Sequence, residues 1–421
     1  MNNNKNTIFV QIASYRDPEL YNTLTDLLEK AKYPNNLHVC VANQFGREDS
    51  DGDLDVFRKM KNFLIMDIPC SQSKGACWAR NTIQQEYDGQ KYTLQLDSHH
   101  RFVEDWDVKC IKMIKDLQKE GSEKPLLTSY LPSYDPENDP KGRVMEPWWM
   151  QFDRFIPEGA VFFLPANIPV ENRNKPIPAR FYSAHFCFTL GQFAIEVQHD
   201  PEFYFHGEEI SIAVRAYTHG YDLYHPHQII AWHEYTRKGR TKQWDDDKDW
   251  GKKNTLSHKR NRMLFGMDGE CSPCEQATLG RFGFGIKRTL DDYERYAGLR
   301  FMDRSVQMYT VNNYFAPNPV IDDYEEYNNS FINLFKHCID VGFAQVPKND
   351  YTFWAVIFED KDGNSLYRED ADEVEIRKVK NDPDGYCKIW RTFNTDIKPH
   401  KWIVWPFSAE NGWEDQITGL L

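Results

Sequence analysis

Apolar and polar positions follow two rhythms along the first hundred residues. Thr7 to Ala13 (TIFVQIA) is a short apolar run rich in β-formers that breaks into the polar turn Ser14-Tyr15-Arg16-Asp17 before Pro18. Leu20, Leu24, Leu27, Leu28 and Ala31 then recur at helical spacing, with Asp17 expected to cap that helix and Pro18 suited to its first turn. Leu37 to Ala42 (LHVCVA) returns to a strand pattern. Strand, helix and strand with short links predict parallel strands joined by a right-handed crossover, the opening of a nucleotide-binding α/β sheet.

The alternation continues. Glu48 to Asp55 reads as a solvated acidic loop, Asn62 to Ile68 as a strand, Gly75 to Tyr87 as a helix and Tyr92 to Leu96 as the next strand. Asp97 therefore falls at the carboxyl end of a strand, the edge at which open α/β sheets bind ligands. Trp106, Ile111, Ile114 and Leu117 mark an amphipathic helix. From Leu126 to Arg180 the pattern is irregular and rich in Pro, Trp and Asn, read as a substrate-binding insertion or loops over the sheet. Order resumes at Phe181 to Leu190; Gly207-Glu208-Glu209 opens a helix over Ile210 to Ala216, and Asp222 to Trp232 holds a strand ending beside His233. Beyond Lys348, Tyr351 to Phe358, Tyr386 to Thr392 and Trp402 to Trp405 are β-like, with hairpin signals at Asp362-Gly363 and Asp384-Gly385. The expected organisation is a catalytic domain over 1–300, a connection over 301–345 and a small β-rich domain over 346–421.

Composition narrows the function. A net charge of -13 over 421 residues argues against nucleic acid as the main partner, because neutralising a phosphate backbone takes a positive surface. The polar start and the lack of a run of about 20 apolar residues predict no membrane segment and a cytoplasmic protein. Nine scattered cysteines suit reduced thiols, and Cys271-Ser272-Pro273-Cys274 without a second pair is a weak metal signal.

Four constellations carry candidate chemistry. Asp97-Ser98-His99 sets a carboxylate and an imidazole two residues apart just past a strand, a pair that suits Mn2+ (or Mg2+) better than Ca2+; the bland alternative is a capping Asp and a surface His. His233 ends an apolar segment and is the chosen third ligand, with His225 and His227 as competitors. Arg80, on a glycine-entered helix, is placed to fork onto phosphate or the metal-binding carboxylate. Glu208 and Glu209 suit substrate positioning, although acidic residues favour helix starts for dipole reasons alone. Arg237, Lys238, Arg240 and Lys242 around Gly239 form either a lid over a diphosphate or a solvated loop whose charge Asp245, Asp246 and Asp247 offset.

Several of these segments resemble the N-acetylglucosaminyltransferases that modify hydroxyproline on the cytoplasmic protein Skp1. The resemblance runs through Phe9 to Leu20 (FVQIASYRDPEL), Cys77-Trp78-Ala79-Arg80, Leu96 to Phe102 (LDSHHRF), Phe203 to Arg215 (FYFHGEEISIAVR), His233-Glu234-Tyr235 and Arg288 to Glu294 (RTLDDYE). It covers about residues 7–300, in the family's order. It implies a type A glycosyltransferase fold with a Rossmann-like mixed sheet, a divalent metal, a UDP-N-acetylglucosamine donor and transfer with retention. It also implies a distant relation to polypeptide N-acetylgalactosaminyltransferases, with Asp97, His99 and His233 as the metal ligands. Ser14, Tyr15, Arg16, Arg80, Asp97, Ser98, Arg237 and Arg240 are the expected donor-binding residues, and Arg80, Glu208 and Glu209 the expected catalytic groups. The region from about 346 does not resemble that family, so the acceptor, a protein or glycan hydroxyl, is left open. Two alternatives stand beside this reading: a metal-dependent hydrolase using the same Asp-x-His site, and a non-catalytic carbohydrate- or protein-binding module.

Overall fold

The apolar runs fold as β1 (Ile8–Tyr15), β2 (Leu37–Phe45), β3 (Phe63–Pro69) and β4 (Tyr92–Leu96), followed by the short β5 (His100–Phe102) and by β6 (Pro125–Thr128). The computed structural model describes residues 6–46, 49, 54–236, 239–269, 277–383 and 385–421. The expectations for Arg237, Lys238, Cys271, Cys274, Asp384 and most of the Glu48 to Asp55 loop lie outside the described residues. Two compact units make up the chain, Met1–Arg304 with Tyr309–Asp322 and Ser305–Met308 with Asp323–Leu421.

In the first unit β1 pairs in parallel with both β2 and β4, and β2 with β3, as the short crossovers require. Side chains alternate across the strands, so Ile8, Val10 and Ile12 pack against Leu20, Leu24 and Leu27 of helix Leu20–Glu29. Phe9 faces the opposite layer with Ala79 and Ile83 of helix Ala76–Gln84. Each buried leucine contributes about 2 kcal/mol through area removed from water.

The irregular middle region is more ordered than its pattern predicts. It contains the antiparallel hairpin β7 (Trp148–Phe155) and β8 (Val161–Asn167) and the short β9 (Ile177–Pro178), while Phe186–Leu190 forms β10. Their strand signal is masked because Pro147, Pro157 and Pro165 interrupt the alternation. The expected single strand over Asp222 to Trp232 is two, β11 (Asp222–His225) and β12 (Ala231–His233), belonging to different sheets. Pro226 breaks the run between them.

The main sheet has the order β3-β2-β1-β4-β10-β6-β11-β9, with β10 antiparallel to its neighbours β4 and β6. This mixed sheet puts the carboxyl ends of β1 and β4 side by side, Ile12 opposite Leu96, at the point where strand order reverses.

The second unit is a β structure in which Leu334–Gly342 pairs antiparallel with Tyr386–Asn394, and Tyr351–Glu359 pairs with Ser365–Arg368 and Lys401–Ser408. Its core gathers Trp354, Val356, Phe358, Ile389 and Val404. Asp362-Gly363 turns between antiparallel strands as the pattern predicts, whereas Gly385 follows helix Glu373–Val379. Among the described residues no helix is long and apolar enough to cross a membrane. None of the seven described cysteines forms a disulfide with another described residue.

Candidate functional site

β4 delivers Asp97 to the sheet edge, and the turn after it is locked by Thr23 of the first helix. The Thr23 hydroxyl donates to Ser98 O at 2.8 Å and accepts from His100 N at 2.9 Å, fixing the backbone on both sides of His99. His233 arrives from far along the chain because β12 pairs antiparallel with β5, His233 opposite His100, and Glu234 N donates to His99 O. One ligand atom each from Asp97, His99 and His233 falls within 4.8 Å of the others. Nε2 of His99 lies 3.9 Å and Nε2 of His233 3.7 Å from Asp97 Oδ2. Both ring nitrogens of His233 are buried without a hydrogen-bond partner, an arrangement that costs free energy unless something else takes up their lone pair. One carboxylate and two imidazoles with such spare capacity fit a borderline divalent ion. His225 belongs elsewhere, its Nδ1 bonded to Thr128 O at 2.9 Å.

Arg80 reaches this cluster from helix Ala76–Gln84. Gly75 starts that helix at a φ of 126°, and a Cβ there would stand 3.0 Å from Tyr204 O. Arg80 is buried; its Nη2 donates to Asp97 Oδ1 at 2.9 Å and its Nη1 lies 3.5 Å from Glu208 Oε1. Burial works against the charged Asp97, but His233, the Arg80 guanidinium and His99 outweigh it and hold the carboxyl well below the usual range. Burial, aided by His185, holds His233 neutral, as a metal ligand must be.

Glu208 and Glu209 open helix Glu208–Thr218 behind Gly207, whose φ of 91° suits glycine. Burial, followed for Glu208 by the neighbouring carboxylate, pushes both up. Glu209 accepts from Ala184 N at 2.9 Å and Tyr130 OH at 3.0 Å. Tyr130 stacks on His185 at 5.3 Å, and His185 on His233 at 4.1 Å, so Glu209 is linked to the Asp97, His99 and His233 cluster through two rings. Tyr130 and His185 escaped the sequence reading because they lie in and just beyond the irregular stretch.

Asp17 corrects an expectation. The helix begins after Glu19, and Asp17, 4% exposed, turns its carboxylate inward instead of serving as the cap. Oδ2 accepts from Ser98 Oγ and His99 Nδ1, each at 2.7 Å, and from Arg240 Nη1 at 2.8 Å; Oδ1 accepts from Glu19 N. Ser98 and Arg240, both donor-site candidates, are thus engaged with Asp17. Arg240 Nη2 also lies 3.6 Å from Glu234.

Ser14 and Tyr15 end the adjacent strand β1, and Arg16 begins the turn after it. Ser14 Oγ is buried without a hydrogen-bond partner. Tyr15 OH donates to Asp246 at 2.7 Å, and Arg16 pairs with Asp49 and Asp246, both at 2.9 Å. Asp246 therefore offsets charge on the β1 turn, while Asp245 sits 3.8 Å from Lys242.

No curated protein sequence matches the chain. Among solved structures, GalNAc-T7 with UDP, GalNAc and Mn2+ overlaps with a TM-score of 0.53 at 12% identity, covering 100% of this chain and 72% of that one. S. aureus TarS in complex with UDP-GlcNAc overlaps more loosely, with a TM-score of 0.38 at 11% identity over 57% of this chain and 61% of that one. The first likeness identifies the fold as the type A glycosyltransferase fold, which agrees with the mixed sheet and its strand order. A family model for Glycosyltransferase (GlcNAc) matches residues 7–60 and 52–303, and with the residues gathered at this sheet edge the chain belongs to that glycosyltransferase family.

Proposed function

We propose that the chain transfers N-acetylglucosamine from UDP-N-acetylglucosamine to a hydroxyl, with retention of configuration and dependence on a divalent metal. The observation that carries this is the meeting of Asp97, His99 and His233 at the switch point of the sheet, with Arg80 on the same carboxylate. For the acceptor we propose a protein side-chain hydroxyl, of hydroxyproline, Ser or Thr; hydroxyproline is the residue that the resembled enzymes modify, while the dissimilar region from about 346 leaves the partner open. Mn2+ is the ion best suited to this carboxylate and imidazole set.

Each residue has a separate task. Asp97, His99 and His233 hold the metal, which when bound supplies charge neutralisation at the diphosphate leaving group. Arg80 fixes Asp97 through Oδ1 and leaves Oδ2 toward the histidines. A front-face reaction takes the acceptor's proton onto the leaving phosphate, so no protein base is needed. Glu208 and Glu209 then position substrate hydroxyls, which suits carboxyls held by Arg80, Tyr130 and the Ala184 amide.

Calorimetry with UDP in the presence and absence of Mn2+ tests the donor and metal together. Binding that requires both is expected, and equal UDP affinity without metal would overturn the reading. Anomeric configuration of the product, read by proton NMR, tests retention.

A further inference from the structure

We propose that Asp17 is the positioning residue of this metal site, fixing the ring and tautomer of His99 while anchoring Arg240 of the segment that follows His233. The inference rests on the reading of Asp97, His99 and His233 as metal ligands, and it adds a residue outside that set.

Two groups face His99 Nδ1, the Asp17 carboxylate and the Arg240 guanidinium, and because Arg240 Nη1 already donates to Asp17 Oδ2 at 2.8 Å the carboxylate decides the role of Nδ1. An ionised carboxylate only accepts hydrogen bonds, and Asp17 Oδ2 stands 2.7 Å from His99 Nδ1, so that nitrogen carries the proton. Nε2 then presents its lone pair toward Asp97 Oδ2, 3.9 Å away, the side on which an ion would be held. Without Asp17 the ring is free to take the other tautomer, which places a proton where the metal would bind. A carboxylate behind a ligating imidazole also raises its basicity.

Burial makes Asp17 rigid enough for this. It is 4% exposed, Glu19 N holds its Oδ1 and Ser98 Oγ braces its Oδ2. The register of β1 against β4 sets the turn carrying Asp17 beside the turn carrying His99. Arg240 Nη1, 2.8 Å from the same oxygen, ties the chain downstream of His233 to that point. One carboxylate thus serves a ligand from β4 and the segment leaving β12.

The test measures Mn2+ binding to the full chain without nucleotide, by electron paramagnetic resonance of the free ion. Asp97→Asn should abolish binding. Asp17→Ala should weaken it about 10–100-fold, the effect expected of an outer partner of a ligating histidine. Asp17→Asn, whose amide oxygen still accepts from Nδ1–H, should recover part of the loss. A folded Asp17→Ala chain within threefold of wild type, beside a dead Asp97→Asn chain, overturns the inference and leaves the metal reading standing. Full affinity in Asp97→Asn overturns the metal reading itself. If Asp17→Ala fails to fold, nitrogen-15 shifts of the histidine rings in the metal-free wild type decide, with His99 assigned by its loss in His99→Gln. The Nδ1–H form is expected, and the Nε2–H form overturns the proposal.

Discussion

Two buried arginines, Arg391 in the second unit and Arg80 in the first, stand in different surroundings. In the second, Arg391 is 4% exposed and fully used, its Nη1 and Nη2 forking onto Glu375 at 2.7 and 3.0 Å, within a core otherwise built from Trp354, Val356 and Phe358. In the first, Arg80 bridges Asp97 and Glu208, Asp17 holds His99, and beside Asp97 stands His233, whose ring nitrogens have no hydrogen-bond partner. A satisfied buried ion is a structural device, whereas buried polar capacity left over costs stability and persists where it has work to do. A lone unpartnered atom does not make a site, since Trp354 Nε1 in the second unit's core is also buried without a partner; what distinguishes His233 is that its unpartnered nitrogens stand beside Asp97 and His99.

Asp97→Asn is the hardest blow to that contrast. Metal-dependent UDP binding should vanish and transfer should fall at least about 100-fold, since a lost ligand exceeds the effect of a lost outer partner. The chain should stay folded, because the amide oxygen still accepts from Arg80. A variant with full Mn2+-dependent UDP affinity would show that the cluster is another structural network.

Arg391→Ala tests the other side. Removing one partner of a buried pair leaves Glu375 without its donors, and a loss of about 2 kcal/mol in the stability of the second unit is expected, discounted because Glu375 is partly exposed. Differential scanning calorimetry should show it. UDP affinity should not change, and a parallel loss of UDP binding would erase the distinction between the units.

Glu294 sharpens the contrast through pH. Burial first, then Asp291 and Asp303, push its carboxyl up to about 7 in the first unit. Its folded value lies above its unfolded one, so the stabilisation it contributes is complete below about pH 4.5 and is lost as pH rises through about 7. In that window the native state binds more protons than the unfolded state. Glu294→Gln should remove roughly 2 kcal/mol of this pH-dependent loss, read from urea unfolding at acid and alkaline pH. An unaltered pH profile would mean that Glu294 is solvated.

The smallest effect is expected in the segment from Glu234 to Asp247, of which 237 and 238 lie outside the described residues. Tyr15 and Arg16 hold Asp246, Asp17 holds Arg240, and the Gln243 amide donates to Ser73 Oγ at 2.7 Å. Hydrogen exchange there should slow by a few-fold on adding UDP with Mn2+, and less with either alone, if this segment is a lid. Unchanged exchange at saturation would assign it to the static surface of the first unit.

Legibility from sequence followed the range of the interactions. Tyr92 to Leu96 was readable as a strand, and Asp97 as a sheet-edge residue, because alternation and turn chemistry are local. The hairpin Trp148–Phe155 with Val161–Asn167 was hidden, since prolines and paired tryptophans obscure a strand that long-range pairing nevertheless stabilises. Asp17 was misread as a cap for a similar reason: a carboxylate before a helix satisfies a local rule, and only the fold brings His99 within 2.7 Å of it.

By itself, then, the sequence determined the alternation of strands and helices, the acid and imidazole at the end of β4, and the family, because periodicity and motif order are properties of the chain. The tertiary structure decided that His233 and not His225 joins Asp97 and His99, that Arg80 meets their carboxylate, and that Asp17 faces inward. Those outcomes depend on which strand pairs with which and in what register, a balance of backbone pairing and burial between residues far apart in the chain.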